Sequence, residues 1–174
     1  PDDMEPGLSA TAVFNNKTAN FPSGCHIVEL EVDEETGVTE MIQYKVVDDV
    51  GNVMNPLLLK GQILGGIAQG VGQMMMEDLV YDPNNGELLS ASFMDYAMPH
   101  ARDFSYVEIK ANPFPTPSNP LGVKGAGEAG CVGALPAVAN ALVDALSPYK
   151  VRDVPMPATP ERLWRLIQEA KASG

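Results

Sequence analysis

The chain has 174 residues, 45% of them hydrophobic, and 11 basic against 23 acidic side chains give a net charge of −12. This length and apolar content suit one globular domain and exclude disorder by composition. The negative charge argues against nucleic acid or an anionic membrane surface as a partner. The apolar runs are too short for a membrane span, and two distant cysteines exclude a disulfide framework. The front of the sequence lacks a signal-peptide pattern, and the expected location is cytoplasmic.

Residues 1–24 show no hydrophobic period and are predicted to be an irregular lead-in, whereas residues 25–174 are predicted to form the domain itself. The sequence begins at Pro1 and not at a methionine. We therefore expect a fragment or one product of a split gene, and removal of a methionine before Pro1 is the alternative.

Alternating apolar residues predict two strands, over 26–33 and 38–50, which a turn joins into a hairpin. A second hairpin is predicted from residues 79–81 and 88–93. A further strand is predicted over 105–111, and the proline-rich stretch that follows it predicts an extended loop.

Three helices are predicted, over 56–77, 131–146 and 160–170, with Asn55 and Thr159 as N-caps of the first and the last. Strands and helices are mixed without strict alternation. The predicted fold class is therefore α+β, in which mixed or antiparallel strands pack with a glycine-rich helix and two C-terminal helices.

The two sides of the first helix differ in character. One side is apolar and is predicted to face the core; it carries Leu57, Leu64, Ile67, Ala68, Val71, Met74 and Met75. The opposite side carries Gln62, Gly65, Gly66, Gln69 and Gln73. Such a face either packs closely on another backbone or lines a ligand, because a primary amide both donates and accepts hydrogen bonds. A pterin or a dithiolene-bearing metal centre is an example of such a ligand, because it presents both donors and acceptors.

The segment from Gly122 to Gly130 places one carboxylate, Glu128, among glycines just before a helix. The glycines match the GxGxxG pattern of dinucleotide sites, but a proline-rich loop precedes them in place of the required strand. The structural alternative is a glycine turn with Glu128 beside the positive end of the helix dipole. A third interpretation is a general base, because glycines let a bulky ligand reach the carboxylate.

The remaining polar signals favour structural roles. Cys25 and His26 at the start of a strand predict a core or strand-edge position, and Cys131 predicts a buried structural thiol. His100 is predicted to be solvated, and the pair at 48–49 to be solvated or capping. Three consecutive methionines at 74–76 predict core packing.

Five segments stand out in chain order: SGCHIVELEVDEETG, VVDDVGNVMNP, KGQILGGIAQGVGQ, GVKGAGEAG and PATPERLW. Together they resemble the C-terminal part of the molybdenum-binding large subunit of the xanthine dehydrogenase/aldehyde oxidase family. The sequence is most similar to the branch of aerobic carbon monoxide dehydrogenases and their bacterial relatives. The resemblance implies the partial molybdopterin-binding domain of a molybdenum hydroxylase.

The resemblance also implies the site residues. In the family, the glutamate of the glycine loop is the catalytic base, which corresponds to Glu128. The glutamine of the Gly-Gln motif lies at the molybdenum–pterin centre, which corresponds to Gln62. The other cofactor-binding residues expected on the helix and the loop are Gly65, Gly66, Gln69, Lys124, Gly125, Ala126 and Gly127. No residue of this chain is expected to ligate the metal directly.

The implied reaction oxidises or hydroxylates a small-molecule substrate with oxygen taken from water. The implied cofactors are a molybdenum–pterin in dinucleotide form, with FAD and [2Fe–2S] clusters on partner subunits. The implied partners are the remainder of the large subunit, an FAD-binding medium subunit and an iron–sulfur small subunit, in a dimeric assembly. The isolated chain is predicted to be inactive, and a non-catalytic assembly module of the same fold is the alternative.

Overall fold

One mixed sheet forms the first layer of the molecule. The computed structural model describes residues 7–15, 17–104 and 107–173. Strands β1 (Ser23–Val32), β2 (Thr39–Asp49) and β3 (Val107–Ala111) lie in the order β1-β2-β3. β1 pairs antiparallel with β2, and β3 runs parallel to β2. The first predicted hairpin is confirmed, and residues 105–106 of the predicted third strand lie outside the described residues.

Within the described ranges the α-helices are α1 (Pro56–Met75), α2 (Ala129–Ala145) and α3 (Pro160–Ser173). α2 packs on both β1 and α1. α1 begins as predicted, because the Asn55 side chain accepts hydrogen bonds from two backbone N–H groups of the first turn. α2 begins two residues before the predicted position. The α+β prediction is confirmed. Among the described residues, no helix is long and apolar enough to cross a membrane.

The predicted second hairpin forms only in part. The structure has its turn and one isolated antiparallel bridge, between Tyr81 and Leu88, with backbone hydrogen bonds on either side, but residues 79–93 form no strands. The apolar side chains of this segment, among them Leu79 and Val80, are exposed. A two-stranded ribbon without a covered apolar face is marginal in water, so the alternating pattern does not produce strands here.

The core lies between the sheet and the helices. It includes Tyr44 and Val46 from β2, Ile67 from α1, Leu142 from α2 and Leu163 from α3, all of them fully buried. The predicted methionine packing is confirmed: Met74 and Met75 are buried, and Met76 packs partly buried against the same cluster.

The predicted core face of α1 is partly wrong. Leu57 is 80% exposed and Leu64 is also exposed, whereas Ile63, which was not predicted, is buried. The buried row of α1 runs through Ile63, Ile67 and Gly70 because these residues face α2. Leu57 lies at the open N-terminal end of the helix, where no described element covers it.

The buried face of α1 is only in part the one that the sequence pattern predicts. Substitutions at two positions that were both predicted to be buried should therefore differ in their effect on stability. Ile67→Val is expected to lower the free energy of unfolding by about 1 kcal/mol, because it leaves a small void in the core. Leu57→Ala is expected to change it by less than about 0.5 kcal/mol. Urea denaturation of both variants measures the difference, and equal losses would contradict the packing described here.

Glycines bring α1 and α2 into backbone contact. A Cβ atom added to Gly66 would lie 2.8 Å from the backbone nitrogen of Cys131, and one added to Gly70 would lie 2.8 Å from Cβ of Ala134. By contrast, Cβ atoms added to Gly61 and Gly65 would meet nothing within 4 Å. The helix–helix interpretation therefore holds at Gly66 and Gly70, and the glycines beside Gln62 border open space.

Candidate functional site

The end of β2 anchors the glycine loop. The Asp49 carboxylate accepts hydrogen bonds from the backbone N–H groups of Gly51 and Phe114, and its Oδ2 lies 2.5 Å from Nζ of Lys124. The backbone N–H of Lys124 donates to the carbonyl of Val50 at 2.9 Å. The prediction of a solvated or capping residue is confirmed at Asp49 in its capping part, because the carboxylate accepts from Gly51. The sequence did not indicate that the same carboxylate also ties the segments of Phe114 and Lys124 to the end of β2.

These contacts lower the pKa of Asp49 from 3.8 to about 2, first through the Lys124 ammonium and then through the Phe114 and Gly51 amides. A carboxylate with a depressed pKa in the folded state stabilises the protein above its ordinary pKa. That contribution is lost as the pH falls from about 4 toward 2.

We therefore expect Asp49→Asn to lower the melting temperature at pH 6. At pH 2 the difference from the wild type should largely disappear, because the wild-type carboxylate is then half protonated. Melting curves of both proteins between pH 2 and pH 6 measure this. A difference that stays constant with pH would contradict the ion pair.

α1 and the glycine loop meet at one hydrogen bond. The amide Nε2 of Gln62 donates to the carbonyl oxygen of Gly127 at 2.8 Å. The next residue, Glu128, is the N-cap of α2, but its side chain makes no capping hydrogen bond. Glu128 is exposed, and it stands at the start of α2 as the glycine-turn alternative predicts, without a capping hydrogen bond from its side chain.

A cavity of about 470 Å³ lies beside this turn. Its wall on the α2 side includes Gly125, Gly127 and Glu128. Cβ atoms added to the two glycines would meet nothing within 4 Å, so the loop backbone itself is open to a ligand. Residues 20–24, His26 and Asp48 also line this cavity.

His26 and Asp48 are the site residues that the sequence interpretation missed. His26 is mostly buried, as a core position predicts, but its ring also reaches the cavity. Asp48 is 3% exposed, so the prediction of a solvated or capping residue is wrong. The available signal was alternation, since Tyr44, Val46 and Asp48 share one face of β2.

The expected cofactor residues divide into three groups. Gly125 and Gly127 line the cavity, and Ala126 lies between them. Lys124 and Gly125 line a second cavity of about 530 Å³ on the other side of the loop. Gln62, Gly65, Gly66 and Gln69 are not among the described residues that line either cavity. Gln62 reaches the loop through Gly127, Gly65 and Gln69 are exposed on α1, and Gly66 is buried against α2.

The two cysteines and His100 lie outside the loop and cavity described above. Cys25 is exposed on β1, which lies at the sheet edge, and Cys131 is partly buried. The His100 side chain is 68% exposed, which confirms the prediction of a solvated residue. Before Gly125, Val123 forms only an isolated bridge to Gly51, so the strand that a dinucleotide site requires is not observed there.

The open loop fits a bulky group of mixed polarity. Gly125 lines two cavities, and the backbone of the turn is open at Gly125 and Gly127. The Gln62 amide bonds to Gly127, the residue next to the Glu128 carboxylate. Pterins present both donors and acceptors, which backbone amides and Gln side chains can match. The residues present therefore fit a pterin-type cofactor.

Comparisons with known proteins place this geometry in a family. The profile of the molybdopterin cofactor-binding domain matches residues 3–105, more than half of the chain. The chain is 36% identical over 96% of its length to the gamma subunit of the 6-hydroxypseudooxynicotine dehydrogenase complex of Paenarthrobacter nicotinovorans. It is 32% identical over 97% of its length to the carbon monoxide dehydrogenase large chain of Hydrogenophaga pseudoflava. It spans 21% of each of these relatives.

A solved structure shows the same fold. The carbon monoxide dehydrogenase from Oligotropha carboxidovorans superimposes with a TM-score of 0.91 at 31% identity, and the match covers 100% of this chain and 22% of that chain. The chain therefore belongs to the molybdopterin cofactor-binding domain family, as part of the molybdenum-binding large subunit of xanthine dehydrogenase and aldehyde oxidase relatives.

Proposed function

We propose that this chain supplies one wall of the active site of a molybdenum hydroxylase that oxidises or hydroxylates a small molecule with oxygen from water. The observation that carries the proposal is the Gln62 to Gly127 hydrogen bond of 2.8 Å. It fixes an amide of α1 to the turn that presents Glu128 beside a cavity of about 470 Å³.

Glu128 is proposed as the general base. Its carboxylate is exposed at the cavity wall and makes no capping hydrogen bond, so it is free to accept a proton from a bound water or substrate. The adjoining helix start favours a negative charge at this position, because the unpaired N–H groups of α2 point toward it.

Gln62 is proposed to lie at the molybdenum–pterin centre. Its Nε2 is already engaged with Gly127, so its Oε1 remains to accept a hydrogen bond from the cofactor. The backbone of residues 124–127 would border the cofactor, because added Cβ atoms at Gly125 and Gly127 meet nothing. Gly65 and Gln69 would extend the surface along α1, whereas Gly66 serves helix packing.

The cofactor would be a molybdenum–pterin, in dinucleotide form, and it would supply the two-electron redox chemistry. Residues 25–174 would form the cofactor-binding domain that follows the lead-in at 1–24. The partners would be the remainder of the large subunit, an FAD-binding medium subunit and a small subunit with [2Fe–2S] clusters, in a dimeric assembly. The expected location is cytoplasmic.

Cofactor analysis of the native assembly tests this proposal. The full-length large subunit is purified with its bound partners, and molybdenum, iron, flavin and released pterin are quantified. We expect one molybdenum and one pterin for each large subunit, together with flavin and iron. A folded assembly that holds neither molybdenum nor pterin under molybdate-sufficient growth would overturn the proposal.

A further inference from the structure

Two buried polar side chains line the cavity beside the turn that carries Glu128, and the proposed function gives them no role. His26 on β1 and Asp48 on β2 line the same cavity as Glu128, and their side chains are 5% and 3% exposed. Buried ionisable groups are costly unless they have partners. A pair of this kind behind an active-site turn therefore calls for an explanation.

Each nitrogen of the His26 imidazole lies near a polar group. Nδ1 lies 2.6 Å from the hydroxyl of Tyr44, and Nε2 lies 3.6 Å from Oδ1 of Asp48. Burial, and then the charge of Asp48, raise the pKa of Tyr44, so its hydroxyl keeps its proton. When Nδ1 accepts from Tyr44, the proton of the neutral ring is on Nε2, the nitrogen that faces the Asp48 carboxylate.

The ring also supports α2 directly. A Cβ atom added to Gly133 would collide with the His26 imidazole, so the helix backbone rests against the ring. Gly133 lies in the first turns of α2, and the N–H of Val132 donates to the carbonyl of Glu128 at 3.0 Å. A displacement of the ring is therefore passed on to the turn that ends at Glu128.

We propose that His26, held by Tyr44 and Asp48, is a positioning residue. It keeps the first turn of α2 in place and thereby determines the position of the Glu128 carboxylate. The inference rests on the proposed function of Glu128. Oδ2 of Asp48 has no hydrogen-bond partner within the described ranges, which leaves His26 as the group that this buried carboxylate faces. A base misplaced by about 1 Å slows catalysis by up to about 100-fold.

The test uses the full-length large subunit assembled with its partners. His26→Ala is expected to lower kcat per bound molybdenum by about tenfold or more, with KM nearly unchanged, because orientation and not binding is lost. His26→Gln is expected to restore much of kcat, since its amide still fills the space against Gly133 and presents a donor toward Asp48. His100→Ala removes the exposed histidine and should leave kcat unchanged.

A second readout does not depend on activity. Amide hydrogen exchange is compared at residues 132 and 133, whose N–H groups are the first of α2 with a hydrogen-bond partner inside the helix. His26→Ala should lower their protection and His26→Gln should retain it. If His26→Ala fails to assemble, Tyr44→Phe removes only the hydroxyl that holds Nδ1 and should lower kcat in the same way.

Wild-type kcat per molybdenum in His26→Ala or Tyr44→Phe would overturn the inference, even if the melting temperature falls. Unchanged exchange at residues 132 and 133 would also overturn it. The proposed function fails separately, if Glu128→Gln keeps full turnover. The exchange measurement then still decides whether His26 holds the start of α2 in place.

Discussion

Glu128→Gln in the assembled enzyme is expected to lower turnover by about 10²–10⁴-fold, because the amide cannot accept the proton that a general base removes. The substitution keeps the size and shape of the side chain. It also keeps the N-cap backbone of α2, since the carboxylate makes no capping hydrogen bond that could be lost. Steady-state kinetics, normalised to molybdenum and pterin content, measure the effect.

Cofactor content separates this loss from a failure of assembly. Molybdenum and pterin should stay near wild-type levels in Glu128→Gln, because the loop backbone and Gln62 are unchanged. Glu169→Gln on the exposed side of α3 is the matched control and should leave turnover unaltered. Full turnover in Glu128→Gln would remove the general base from the account and would favour a non-catalytic assembly module.

Gly130→Ala is expected to lower the free energy of unfolding by about 3 kcal/mol or more, because the new methyl group has no space. Its Cβ would collide with the carbonyl oxygen of Ile63 and lie 3.0 Å from the backbone nitrogen of Ile67. Both obstacles are helix backbone, which cannot turn aside as a side chain can. α1 and α2 would have to separate, and with them Gln62 and the glycine loop.

Gly61→Ala is the matched control for this effect. Position 61 also lies in a helix, but a Cβ there meets nothing within 4 Å. The substitution should be neutral or stabilise the protein by up to about 1 kcal/mol, as alanine is a better helix former. Denaturant titration of both variants makes the comparison. A Gly130→Ala protein as stable as Gly61→Ala would contradict the close helix contact.

The elements that sequence predicted well are those with strong local signals. The hairpin of β1 and β2 follows from alternation, and α1 begins where Asn55 and Pro56 provide a cap and a fixed φ. The glycine loop around Glu128 was also recognisable, because glycines concentrated before a helix indicate backbone open to a ligand. These features depend on neighbours in the chain.

The features that sequence missed depend on distant contacts. Asp49 resembles any turn residue until Lys124, 75 positions later, folds onto it. The burial of Asp48 follows from the pairing of β1 with β2, and the contact of the His26 ring with α2 follows from a glycine at 133 that admits the ring. Likewise, contact with α2, and not the hydrophobic pattern of α1 itself, determines which face of α1 is buried.

The most direct test of the account is the position of molybdenum in the assembled protein, found by anomalous diffraction at its absorption edge. We expect the metal on the side of the glycine loop that carries Gln62 and Glu128. The Glu128 carboxylate should then reach a group bound to the metal, directly or through one water. Molybdenum on a face of the domain that neither side chain can reach would contradict the proposed site.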